Sequence, residues 1–99
     1  MEINIEQNEN QLNVILKGRL DTVTSKELLD KLTIEIRKGN NIIFDFNDLD
    51  YLSSAGLRAL VLFKKEAQQT GNKIEILNAN EMVKDIFKTT GFDKILNVK

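Results

Sequence analysis

The chain has 99 residues, 41% hydrophobic and 29% charged, which gives apolar side chain for a core and room for one domain, residues 1–99. Lys and Arg number 14 against 15 Asp and Glu, and the net charge of −1 excludes a bulk electrostatic drive towards nucleic acid or anionic lipid. Neither Cys nor His occurs, which excludes disulfides, Cys/His zinc sites, a cysteine nucleophile and a Ser-His-Asp triad.

The start, Met1-Glu2-Ile3-Asn4, lacks the basic and apolar regions of a secretory signal. The longest apolar run, Ala59 to Phe63, is far short of a membrane span. A cytoplasmic protein with no direct membrane insertion is expected, and the polar surface predicts a monomer when free.

Ile3 and Ile5 alternate with polar residues, so Ile3 to Gln7 reads as a half-buried strand. Asn8-Glu9-Asn10 is a turn, and Leu12, Val14 and Leu16 mark a second strand, Gln11 to Lys17, completing a hairpin. Gly18 to Val23 reads as a loop. Thr24-Ser25-Lys26-Glu27 fits a capping box, followed by Leu28, Leu29, Leu32 and Ile36 at helical spacing and closure at Lys38-Gly39. Asn41 to Phe46 holds Ile42-Ile43-Phe44, apolar without alternation, and reads as a central strand covered on both faces.

Asp48 to Leu52 reads as a loop, and Ser53-Ser54-Ala55-Gly56 opens a helix to about Thr70, closed by Gly71-Asn72. Lys73 to Leu77 is a further strand. Asn80 caps a third helix through Phe87, ended by Gly91, and Phe92 to Val98 is a short apolar tail. Strands separated by helices predict an α/β fold. The expected sheet is small and mostly parallel, with one antiparallel edge strand, and about three helices pack on it.

Two loops stand at the carboxyl ends of strands, where open α/β sheets place their sites: Gly18 to Val23 and Asp50 to Gly56. One serine suffices to cap the second helix. A second serine and a glycine in its first turn cost helix propensity and leave the backbone open to close approach. A phosphate on one of these serines would meet the favourable end of the helix dipole while adding about −1.5 to −2 charges to the surface.

Leu49-Asp50-Tyr51-Leu52-Ser53-Ser54-Ala55-Gly56-Leu57 resembles the signature of the STAS domain, in particular that of bacterial anti-sigma factor antagonists, and Gly18-Arg19-Leu20-Asp21 resembles the family's second marker. The resemblance covers essentially the whole chain. It places the phospho-acceptor at Ser54, with Ser53 as the alternative, and the Gly-Leu of the motif at Gly56 and Leu57. Two positions depart from the best-studied branch: Ser53 stands where that branch has Asp before the acceptor, and Ala55 where Ser or Thr often follows it. Many members also continue into a last helix beyond the point where Phe92 to Leu96 stands here.

What the resemblance implies is a switch without cofactor or catalytic residues. The bare protein binds an anti-sigma factor that is also a serine kinase, and so frees the sigma factor. The kinase moves phosphate from Mg-ATP to Ser54, the added charge opposes the complex, and a PP2C-type phosphatase resets it. Asp21, Ser53, Ser54, Gly56, Leu57 and Arg58 form the expected partner-binding set. Asp21 either sharpens the repulsion or accepts backbone amides as a turn residue, and Arg58 either meets a partner or is a solvated helix charge.

Two other readings stand beside this one. STAS domains also serve, without phosphorylation, as scaffold or regulatory subunits of stress-signalling or lipid-transporter complexes. Separately, Asp45, Asp48 and Asp50 after a buried strand suggest a Mg-dependent or phosphotransfer enzyme, although Asp48 and Asp50 also suit a turn.

Overall fold

In the computed structural model, which describes residues 1–99, the chain opens with the expected hairpin. Strand β1 (Glu2–Asn8) pairs antiparallel with β2 (Gln11–Leu20). Helix α1 (Thr22–Arg37), β3 (Asn41–Leu52), α2 (Ser54–Thr70), β4 (Ile74–Leu77), α3 (Glu81–Thr90), a 3-10 turn at Phe92–Lys94 and β5 (Asn97–Val98) follow. The sheet order is β1-β2-β3-β4-β5, with β2 to β5 mutually parallel. The α/β architecture with one antiparallel edge and three packed helices is therefore as expected, and the apolar tail supplies a short fifth strand.

Each parallel strand is added on the same side of the one before it. Crossovers of one hand stepping in one direction place every helix on one face of the sheet. Burial follows that geometry. Leu12, Val14 and Leu16 of β2, Ile42, Phe44 and Phe46 of β3, and Ile74 and Ile76 of β4 are buried, and the residues between them are not. This corrects the expectation that Ile42-Ile43-Phe44 is covered on both faces: Ile43 lies half-buried on the face opposite the helices. Leu28, Leu32 and Ile36 of α1, Leu60, Phe63 and Ala67 of α2, and Val83 and Phe87 of α3 complete one core. Phe44 sits at its centre, 5.9 Å from both the Phe46 and Phe63 rings.

Three further boundaries differ from expectation. Strand β2 runs through Gly18 to Leu20 where a loop is predicted, and β3 runs through Asp48 to Leu52. The two extensions pair with each other, Gly18 with Leu49 and Leu20 with Leu52, so each supplies the other's hydrogen bonds. The first helix begins two residues before the predicted box. Its N-cap is Asp21, and Thr24 stands at N3. Helices α2 and α3 end as predicted, with Gly71 and Gly91 at φ of 74° and 77°, a left-handed conformation open to glycine at little cost. No helix is long and apolar enough to cross a membrane.

Candidate functional site

The paired ends of β2 and β3 set the site. Leu20 and Leu52 lie side by side, and after each the chain spends one residue, Asp21 or Ser53, before entering a helix. The two helix starts are therefore neighbours at the carboxyl edge of the sheet.

Asp21 Oδ1 accepts from the backbone amides of Val23 at 3.1 Å and Thr24 at 3.0 Å, while the Asp21 amide donates to Thr24 Oγ1 at 2.8 Å. This is a reciprocal capping box. The Thr24 amide and hydroxyl hold the Asp21 carboxyl below the usual carboxylate range, with smaller help from the Val23 amide and the Arg19 charge. Of the two roles expected of Asp21, the structure shows the backbone-capping one.

Ser53 caps α2 in a different way. Its Oγ accepts from the Gly56 amide at 3.1 Å and donates to the Leu20 carbonyl at 3.0 Å, and its own amide donates to the same carbonyl at 2.9 Å. The hydroxyl thus spends its one proton and a lone pair inside the fold, and Ser53 is half-buried. Ser54 is the first residue of α2 and is exposed, with its hydroxyl in no hydrogen bond. The adjacent serines are chemically alike in sequence and unlike in the fold: one is consumed by structure and the other faces solvent.

Gly56 and Leu57 differ from their expected place on a partner surface. Gly56 is buried, and a Cβ there would lie 2.8 Å from Leu52 Cδ1 and 3.1 Å from both Leu20 Cγ and the Leu20 carbonyl oxygen. The close approach its small size permits is made by the chain's own strand ends. Leu57 is 7% exposed and belongs to the core, reaching the surface only as the floor of a shallow depression.

That depression is lined by Ser54, Leu57, Arg58, Thr90 and Phe92. A second one, lined by Arg58, Val61, Leu62, Lys65 and Phe92, continues along α2. Arg58 and Phe92 belong to both, so the two form a trough between the exposed side of α2 and the end of α3. Arg58 is exposed, one turn beyond Ser54, and takes part in no ion pair. Thr90 and Phe92 were not singled out from sequence. Their position beside Ser54 depends on how α3 packs, and no local signal carries that. Arg19 stacks over the Tyr51 ring at 4.2 Å to the centroid, a cation–π contact joining the same two strand ends.

Two of the three acidic residues after the buried strand hold local hydrogen bonds, and the Asp50 side chain is exposed and makes none. Asp45 accepts from the Asn47 amide and the Asn78 side chain, and Asp48 accepts from the Asn47 side chain. No group of three or more carboxylates that could hold a metal is assembled.

Among characterised proteins, the chain is 27% identical to BtrV of Bordetella bronchiseptica, named as a candidate anti-sigma factor antagonist, over 99% of this chain and 85% of that one. It is 26% identical to the anti-sigma-B factor antagonist of Bacillus subtilis, over 99% of this chain and 90% of that one. Of solved structures, the unphosphorylated form of the anti-sigma factor antagonist SpoIIAA superposes with a TM-score of 0.87 at 20% identity, covering 99% of this chain and 88% of that one. The phosphorylated form of Bacillus SpoIIAA superposes with a TM-score of 0.81 at 19% identity, over 99% and 91%. The model of the STAS domain matches residues 2–99. A one-faced sheet, two adjoining helix starts and an exposed serine at the second thus coincide with a family match along nearly the whole sequence, and the chain belongs to the STAS domain family.

Proposed function

We propose that this protein is an anti-sigma factor antagonist, a protein-binding module switched by phosphorylation at Ser54. The observation that carries the reading is the exposed, unbonded Ser54 hydroxyl at the start of α2 beside a Ser53 hydroxyl already engaged at both ends. Phosphorylating Ser54 breaks no hydrogen bond of the fold. Phosphorylating Ser53 removes the proton that binds Leu20 and forces a dianion against a carbonyl. The relatives' names supply the partner class, and the existence of SpoIIAA in both states supports a covalent switch on this fold.

In the bare state the α2 trough docks on an anti-sigma factor that is also a serine kinase. That enzyme transfers the γ-phosphoryl of Mg-ATP to Ser54 Oγ. The new O–P bond replaces the bond to ADP, and the hydroxyl proton leaves to a base on the kinase. The added −1.5 to −2 charges, roughly, then oppose the complex by repulsion and desolvation. A PP2C-type phosphatase restores the hydroxyl.

Incubation with the cognate kinase and Mg-ATP is expected to add one phosphate, mapped by mass spectrometry to Ser54. Ser54→Ala is expected to bind the kinase as the parent does and to take no label. Ser54→Asp is expected to bind about tenfold more weakly or worse, the effect of one unfavourable charge at a docking surface. Label on Ser53 alone, or equal binding by parent, Ser54→Ala and Ser54→Asp, overturns the proposal.

A further inference from the structure

We infer that the phosphoryl group on Ser54 is clasped within the same molecule by Arg58, so that phosphorylation withdraws a free cation from the docking surface as well as adding negative charge. The inference rests on the reading of Ser54 as the acceptor and names what that phosphate meets first.

Three observations carry it. Ser54 and Arg58 are four residues apart on one continuous helix, both exposed, and both line the same depression. Arg58 is the only charged side chain in that lining, the rest being Leu57, Thr90 and Phe92. Arg58 also has no competing carboxylate, whereas Arg37, Lys17, Lys31, Lys38 and Lys99 are each paired elsewhere.

The chemistry favours the pair. Side chains at i and i+4 face one another on a helix, and the order with the anion nearer the N-terminus is the better one. A guanidinium presents two parallel N–H donors to two phosphate oxygens. The phosphate is tethered by its ester, so little translational freedom is lost on pairing. Leu57 and Phe92, which line the same depression, add apolar surface next to both side chains. In the bare protein the α2 surface at this point carries one positive charge. In the modified protein the cation is neutralised internally and the remaining charge is negative, so an acidic group on a partner loses its counterpart at the moment the repulsion appears.

The full-length chain carrying phosphoserine at position 54, installed by genetic-code expansion, tests this by phosphorus NMR. The second ionisation of the phosphate is followed in the parent, Arg58→Lys, Arg58→Gln and Lys65→Gln. Arg58→Gln is expected to raise the midpoint by about half a pH unit, and Arg58→Lys to return part of that shift. Lys65→Gln removes an equal charge from the far end of the trough and is expected to move the midpoint by less than half as much. A midpoint unchanged in Arg58→Gln overturns the clasp, as do equal shifts in Arg58→Gln and Lys65→Gln. Because the phosphoserine is placed without a kinase, the outcome is separate from kinase choice. Failure here leaves the Ser54 switch standing, and failure of kinase labelling at Ser54 leaves the clasp standing as chemistry.

Discussion

At the scale of single residues, the site is a matter of which polar group already has a partner. The motif identifies two adjacent serines but not which one folds into the cap, because that depends on where β3 ends and α2 starts. Pairing of Leu52 with Leu20 settles it: the Leu20 carbonyl is left facing Ser53, and Ser53 takes it. The same logic explains Asp21. Thr24 with Glu27 looks like a capping box, yet the strand extension to Leu20 brings Asp21 to the cap first, and Thr24 becomes its reciprocal partner. The Asp21 carboxyl titrates below its ordinary value of 3.8, so its contribution to stability is complete above that pH and is lost as pH falls through the lowered folded value. Asn caps helices about as well as Asp but does not titrate in this range. The urea midpoint of Asp21→Asn is therefore expected near that of the parent at neutral pH, with a shallower fall below about pH 4. Parallel acid limbs in the two proteins would show that Asp21 contributes nothing to acid unfolding.

At the scale of elements, the hairpin, the three helices and their glycine stops were legible because apolar period and turn chemistry agree there. The long ends of β2 and β3 were not. Gly18, Asp48 and Asp50 have poor strand propensity; pairing of Gly18 with Leu49 and of Asp48 with Lys17 makes the first two strand, and Asp50 is the extra residue passed over where the register shifts. The junction they form accounts for Gly56. Alanine there gains about 1 kcal/mol of helix propensity. Its Cβ, however, meets Leu52 at 2.8 Å and the Leu20 carbonyl at 3.1 Å, and that carbonyl is held in place by two donors from Ser53. A side-chain tip can rotate away, whereas the doubly bonded carbonyl resists. Net of propensity, Gly56→Ala is expected to lower the unfolding free energy by about 1 kcal/mol and Gly56→Val by about 3 kcal/mol, read from urea unfolding. A stabilised Gly56→Ala would show that the junction relaxes freely.

At the scale of the whole molecule, the one-directional strand order places the α1 and α2 N-termini together, and the open face of the sheet was hidden from sequence because Ile43 reads as core. Helices α1 and α2 are fastened at both ends. Near their starts, Ser53 binds the Leu20 carbonyl, and near their finishes Arg37 meets Glu66 through two hydrogen bonds of 3.2 and 3.0 Å. That pairing holds Glu66 below and Arg37 above their ordinary values. A phosphate added at an exposed, unbonded hydroxyl has no lever on such a frame: no cap is lost, no core side chain is displaced, and interiors this closely packed do not deform in small steps. The switch proposed at Ser54 is therefore one of surface charge on a fixed scaffold. Amide shift changes between the bare and phosphoserine-54 chains are expected only in residues 19–24, 53–58 and 89–93, with far-ultraviolet circular dichroism unchanged. Changes reaching β1 or the Arg37–Glu66 end would mean instead that the modification shifts the molecule between two packings, and that the signal travels through the fold rather than across its surface.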